Sequence, residues 1–217
     1  MKTIEVPRLT FSDAVPDLDK ISERLDGLRM RNAIDMVNWK EFPYRPSVEF
    51  SIAYTGNEIL LKYYVTEESF KVEKTESNDP VYEDSCVEFF FSPSDDGIYY
   101  NLEFNGIGTC LAGYGTGRKG RISIDPAVIS RIRRISSAGN SPIAVRTGEY
   151  SWDLTIAIPF SLFMGHFIGS LQGKTFRANF YKCGDKTGIP HYLSWSPVET
   201  SKPDYHRPEY FGFLNFI

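Results

Sequence analysis

The sequence predicts an all-β protein, an antiparallel β-sandwich of jelly-roll type with one or two short peripheral helices. Three observations lead there. Runs of strict apolar/polar alternation recur between clusters of Gly, Pro, Asn, Asp and Ser; aromatic residues, 16 Phe and 13 Tyr among them, make up 15% of the 217 residues; and only one early stretch has clear helical spacing. Alternation of period two marks a half-buried strand, aromatic side chains favour pleated surfaces, and many short strands between turns describe two packed antiparallel sheets. A sandwich of this length commonly forms one domain, so residues 1–217 are read as one, with 1–46 as an N-terminal extension packed on it.

From the N-terminus, Leu18, Ile21, Leu25 and Leu28 recur at three- and four-residue spacing, which predicts a small amphipathic helix over 17–28. Met30 to Trp39 is a short run, and Pro43 and Pro46 make an irregular entry into the first long strand. Val48, Phe50, Ile52 and Tyr54 alternate, Thr55 to Glu58 turns the chain, and Ile59, Leu61, Tyr63 and Val65 alternate again, the clearest hairpin in the sequence. Glu67 to Asp79 is charged and without period, so a surface loop is expected. A second hairpin follows: Val87, Phe89 and Phe91 share a face with Tyr100, Leu102 and Phe104, whereas Cys86, Glu88 and Phe90 share the other with Tyr99, Asn101, Glu103 and Asn105. The turn between them, Ser92 to Gly97, offers Asp95 and Asp96 as oxygen ligands for a structural calcium ion, although an acidic turn of this kind is ordinarily just solvated.

The glycine-rich segment after Asn105 contains a GxGxxG at Gly115, Gly117 and Gly120, but it lies among hairpins and not in a βαβ unit, so it reads as a flexible loop or strand pair with Arg118, Lys119 and Arg121 solvated outside. Strands are expected at Ile143 to Thr147, Tyr150 to Ile158 and Phe176 to Cys183, with one helical turn between Phe160 and Phe167, and the chain closes with His191 to Trp195, a loop rich in Pro, Ser and Lys, and a last strand Phe211 to Phe216. On the third of these, Arg177, Asn179 and Tyr181 form a second polar row. Trp39 and Trp195 are read as core, and His166, His191 and His206 as structural or exposed, with His206 beside Tyr205 within reach of a ligand hydroxyl.

Composition narrows the function. A net charge of -4 gives no support for nucleic acid as partner, and no run approaches the length of a membrane span. The cysteines, Cys86, Cys110 and Cys183, are widely spaced without a CxxC, which signals neither a zinc site nor a disulfide framework but free, mostly buried thiols. The N-terminal MKTIEVPRLTF lacks the apolar stretch of a signal peptide, so a secreted or periplasmic location requires a leader that has been removed.

The ordered segments DPVYEDSCVEFFFS, YYNLEFNGIG, IPFSLF, FRANFYKCGD, HYLSWSPV and PDYHRPEYFGFLNF resemble carbohydrate-binding module family 9 and its DOMON-like relatives, most closely those of Bacteroidetes type. The resemblance covers most of the chain from about Ser47 onward. It implies a non-catalytic β-sandwich that binds a mono-, oligo- or polysaccharide between two aromatic rings. The matching rings here are Tyr82 and Tyr205, where the best-known binders carry Trp, and the matching polar contacts are Glu88, Asn101, Glu103 and Asn179. Asn101 stands where the module typically has an Arg, and Arg177 on the neighbouring polar row is the residue expected to supply a cation instead.

Two alternatives stay beside this reading. Polar-out alternation is what any half-solvated antiparallel sheet shows, so the same residues also fit a decayed site serving as an interaction surface, with Tyr82 and Tyr205 buried against their own loops. A glycoside-active enzyme using Glu88 and Glu103 is the other, because opposed residues on adjacent strands stand at about the separation of a retaining carboxylate pair.

Overall fold

The computed structural model describes all residues, 1–217. The strands are β1 (Thr3–Val6), β2 (Asn32–Ala33), β3 (Met36–Val37), β4 (Ser47–Tyr54), β5 (Glu58–Val72), β6 (Cys86–Ser92), β7 (Tyr99–Asn105), β8 (Cys110–Gly115), β9 (Ile122–Ser123), β10 (Arg133–Ser136), β11 (Ile143–Pro159), β12 (Thr175–Cys183), β13 (Tyr192–Ser194) and β14 (Gly212–Phe216). Helix α1 (Leu18–Asp26) and the four-residue α2 (Pro126–Ile129) complete the set with three single 3-10 turns. They form a β-sandwich. One sheet has the order β1-β14-β12-β6-β7-β8-β9 with β13 and β3 beside β12, and the other the order β10-β11-β5-β4-β2. All pairings are antiparallel except β1 with β14, which is parallel.

Alternation sorts the side chains into three apolar clusters. Between the sheets lie 38 buried residues, among them Val87, Phe89, Phe91, Tyr100, Leu102 and Phe104 from the second hairpin, with Phe50 of β4 stacked on Phe180 of β12 at 3.8 Å. The outer face of the five-stranded sheet is covered by α1, whose Ile21 and Leu25 pack on Ala53, Leu60 and Ala157. Its start at Asp17 and stop at Gly27 match the sequence pattern. The outer face of the nine-stranded sheet carries Cys86, Phe90, Tyr99, Tyr181 and Cys183, covered by Trp39, Val81, Val198, Tyr205 and Phe211. The polar face of the second hairpin is therefore not a solvated surface. It is the floor of a third layer made of loops.

Several expectations are corrected. The stretch Glu67 to Val72 continues β5 and is not a surface loop, because its charges find partners inside: Glu67 accepts from Trp152 Nε1 at 2.8 Å and pairs with Lys182 at 2.9 Å, both charged side chains fully buried. Lys182 also lies 2.8 Å from His191 Nε2, and burial together with the Lys182 charge holds that imidazole well below the usual histidine range, so it is neutral. The two strands expected between Ile143 and Ile158 are one, bent by register shifts at Ile143/Arg146 and Thr147/Tyr150. β1 and β10 lie in short, partly exposed edge segments whose alternation is too brief to read.

Lys182→Met should destabilise the fold by about 3–5 kcal/mol, since it leaves the Glu67 carboxylate buried without its counter-charge. Urea unfolding measures this, and adding Glu67→Gln should restore much of the loss.

Candidate functional site

Tyr82 sits on the turn Val81–Glu83, which is pinned from both sides. Val81 is buried beneath it; Glu83 pairs with Lys74 at 3.1 Å and Lys186 at 2.7 Å; and the Tyr82 carbonyl accepts the Asp185 amide at 3.0 Å. Asp84, next in sequence, accepts the amides of Glu73 and Lys74 and the Asn105 side-chain amide. The ring that results is 39% exposed.

Opposite it, the segment between β13 and β14 folds over the sheet. Tyr205 stacks on Tyr181 at 4.0 Å with an interplanar angle of 13°, and its hydroxyl donates to the carbonyls of Lys182 and Leu193. It is 7% exposed, so one face of the ring is spent on Tyr181 and only a small part is presented. Asp204, which precedes it, pairs with Arg118 at 3.1 Å and Arg207 at 2.7 Å.

Between these walls lies a cavity of about 360 Å³. Its floor is the polar row of the hairpin, with Glu88 directly opposite Glu103 in the β6–β7 register. Tyr82, Tyr205, Glu88, Asn101 and Glu103 all line it, as the sequence led us to expect; a decayed site without a cleft between the rings does not describe this geometry. Arg177 and Asn179 are not brought to it. Arg177 stands opposite Ser92, four residues beyond Glu88 and therefore roughly 13 Å along the strand, and its guanidinium donates to the carbonyls of Glu209 and Phe211. Asn179 is fully buried, its amide exchanging hydrogen bonds with the backbone of Ser196. The neighbour of Glu88 on β12 is Tyr181 instead.

The cation of the site is Arg121, expected in solvent. Its Nε donates to Asn101 Oδ1 at 2.8 Å, its other nitrogens to the carbonyls of Tyr99, Gly113 and Gly117, each at 3.1 Å, and its guanidinium lies over the Tyr99 ring at 4.4 Å. Gly113 makes room for this: a Cβ there would lie 3.2 Å from Asn101 Oδ1 and 3.1 Å from the Ile122 carbonyl. Because Arg121 claims the Asn101 oxygen, the amide nitrogen is turned toward Glu103 Oε1, 2.9 Å away. Arg118, also expected in solvent, lines the cavity too, and Leu111, Cys183, Asp185, Tyr192, Pro203, Asp204 and His206 complete the lining; of these only His206 was singled out, and its Nδ1 lies 2.9 Å from the Tyr99 hydroxyl. Only the glycine spacing around Arg121 hinted at its fold-back.

The electrostatics are unusual for a sheet surface. No Lys, Arg or His nitrogen comes within 4.0 Å of Glu88, Glu103 or Asp185. Burial pushes Glu103 up to about 7, with the Asn101 amide and the Arg121 charge opposing it. Glu88, 3% exposed, is driven well above the usual carboxylate range by burial first and by the Glu103 charge second; its hydrogen bond is from the Cys183 thiol at 3.1 Å. Asp185 is raised by burial to about 6, and burial lowers His206 to about 3, leaving it neutral. The Asp95–Asp96 turn does not fit calcium, which takes about six to eight oxygens: Asp96 is spent on His166 Nε2 at 2.9 Å and on the Ile98 amide.

Comparison with known proteins places the chain in a family. The model of carbohydrate-binding family 9 matches residues 19–216. The chain belongs to that family. Its members are non-catalytic carbohydrate-binding modules, which sets aside the reading of Glu88 and Glu103 as a glycosidase's acid and nucleophile. Among solved structures, a protein of Bacteroides uniformis assigned a carbohydrate-binding role is 43% identical over 100% of this chain and 99% of its own, with a TM-score of 0.95. A family 9 module from Caldicellulosiruptor kristjanssonii in complex with glucose shares the fold at 12% identity and a TM-score of 0.56, covering 100% of this chain and 96% of that one. The cellotriose complex of a family 9 module from the same organism gives 12% identity and 0.58, over 99% and 93%. No curated protein matches the chain. No helix is long and apolar enough to cross a membrane.

A raised carboxylate binds its proton more tightly in the folded state, so its contribution is favourable at low pH and is lost as pH rises from the unfolded value of 4.5 toward about 7. Glu103→Gln removes the charge that burial penalises. The variant should gain about 1–3 kcal/mol over wild type at pH 8 and little at pH 4, read from urea midpoints at the two pH values.

Proposed function

We propose that this protein binds a sugar in the cavity between Tyr82 and Tyr205, with Glu88, Asn101 and Glu103 pairing with ring hydroxyls and Arg121 holding the amide in place. The observation that carries this is the convergence, in one cleft, of aromatic surface and of planar polar groups already aimed inward. Sugars need both, an apolar face for their C–H groups and several acceptors and donors for their hydroxyls. The carboxyl pair offers both kinds of partner, since burial favours the protonated form of Glu88, whose O–H can donate, while the carboxyl oxygens of either residue accept.

Tyr82 is the exposed platform and Tyr205 the wall behind the ligand. Arg177 and Asn179 act on the loop that carries Tyr205, through Phe211 and Ser196, and not on the sugar. A cavity near the small end of the usual range, about 300–1,000 Å³, suits a short saccharide, and the modest stacking area makes a weak complex. Glucose and cellotriose, seen on the distant modules, are the first ligands to try.

Titration calorimetry after a glycan-array screen tests the reading. Tyr82→Ala should weaken binding at least about tenfold, roughly 1.4 kcal/mol, and Glu88→Gln should weaken it too, whereas Arg177→Ala, which touches only the loop behind Tyr205, should weaken it less than either. No sugar bound by the wild type, or equal affinity in folded Tyr82→Ala and Glu88→Gln, would show that the cavity is not a sugar site.

A further inference from the structure

Two thiols and a carboxylate converge on one point at the base of the cavity. Cys86 on β6 and Cys183 on β12 stand directly opposite each other in the strand register, and Glu88 lies two residues along β6, on the same face. The two Sγ atoms and a carboxylate oxygen of Glu88 all lie within 4.8 Å of one another. All three residues are buried, and Glu88 and Cys183 face the cavity.

As the chain stands, this is an expensive arrangement. Glu88 is a buried carboxylate facing a second one, Glu103, with no cation near enough to pair, and its hydrogen bond comes from a thiol, a weak donor. Two sulfurs and one oxygen are, however, the mixed donor set that a four-coordinate cation of borderline softness takes. With bonds of about 2.0–2.3 Å, tetrahedral geometry sets such donor atoms roughly 3.5–3.8 Å apart, so the observed cluster needs only small side-chain rotations to close on an ion.

We propose that Cys86, Glu88 and Cys183 form a site for a thiophilic divalent cation of the zinc type, with the fourth coordination position open to the cavity. Loading releases the two thiol protons, and any proton on Glu88, to solvent; the cation then supplies the counter-charge that Glu88 lacks. The position of the site at the cavity floor places any fourth ligand, water or a ligand hydroxyl, where the proposed sugar would lie. Metal binding itself does not depend on the sugar reading, and the test below uses no sugar.

Cobalt(II), a spectroscopic stand-in for zinc, is titrated into the whole, fully reduced protein. The expected result is thiolate-to-cobalt charge-transfer absorption that saturates at one equivalent and is displaced by zinc. Cys86→Ser and Cys183→Ser should each abolish or strongly weaken it, Glu88→Gln should lower cobalt affinity at least tenfold, and Cys110→Ser, whose thiol lies in the inter-sheet core, should leave it unchanged. Absence of the band from folded, reduced wild type in excess cobalt overturns the site, whatever the variants do. So does a band that survives loss of both Cys86 and Cys183, and an unchanged affinity in Glu88→Gln removes Glu88 as a ligand and with it the three-donor site.

Discussion

Two glutamates opposed on adjacent strands and hidden from water set the terms for everything around the cavity. Period-two alternation puts Glu88 and Glu103 on one face, the β6–β7 register puts them opposite each other, and the loops above remove most of the water that would normally solvate them. Isolated buried carboxylates are costly, so the surroundings supply what they can: an amide turned by Arg121, a thiol from Cys183, and a shift of both carboxyls toward the protonated form. The result is a row of polar groups whose hydrogen-bonding capacity is only partly used inside the protein. Donors and acceptors are thereby left open toward the cavity, which is the basis of the proposed sugar site.

The same strand solves the opposite problem on its other face. Lys182, adjacent to Cys183 on β12, points to the inter-sheet side and meets Glu67, with His191 kept neutral beside it. There a buried carboxylate has its cation, a tryptophan N–H and no cavity, and the group is structural. At the floor of the cavity the carboxylates have neither cation nor closure. The contrast, between Glu67 on one face of the sheet and Glu88 and Glu103 on the other, separates a buried carboxylate that has its counter-charge from two that have none.

The alternation of the β6–β7 hairpin was legible in full, and with it the inner face of Val87, Phe89, Phe91, Tyr100, Leu102 and Phe104. What alternation does not encode is what lies on top. The cover comes from Val81, Trp39 and the segment around Val198 to Phe211, all distant in sequence, so a face that reads as solvated is buried. Strand register is equally silent in sequence: Arg177 and Asn179 belong to the correct polar row, yet pairing of Arg177 with Ser92 carries it past the site, and pairing of Cys183 with Cys86 joins two cysteines whose spacing suggested nothing. Arg121 was hidden by its aperiodic, glycine-rich surroundings. Glu67 and Lys71 were misread because charge was taken for exposure, when each had a buried partner elsewhere in the chain.

The family places Trp at both aromatic positions in its best-known binders, whereas here one Tyr is partly exposed and the other is stacked on Tyr181, so the proposed binding leans more on the polar floor. Whether the ligand rests on that floor is answered most directly by a crystal structure of the protein grown with a bound saccharide. The account requires the sugar ring between Tyr82 and the Asp204–His206 segment, with hydroxyls at hydrogen-bonding distance from Glu88 and Glu103. A saccharide seated elsewhere, such as the cleft beside Tyr64 and Trp152 on the five-stranded sheet, with this cavity holding only solvent, would contradict it.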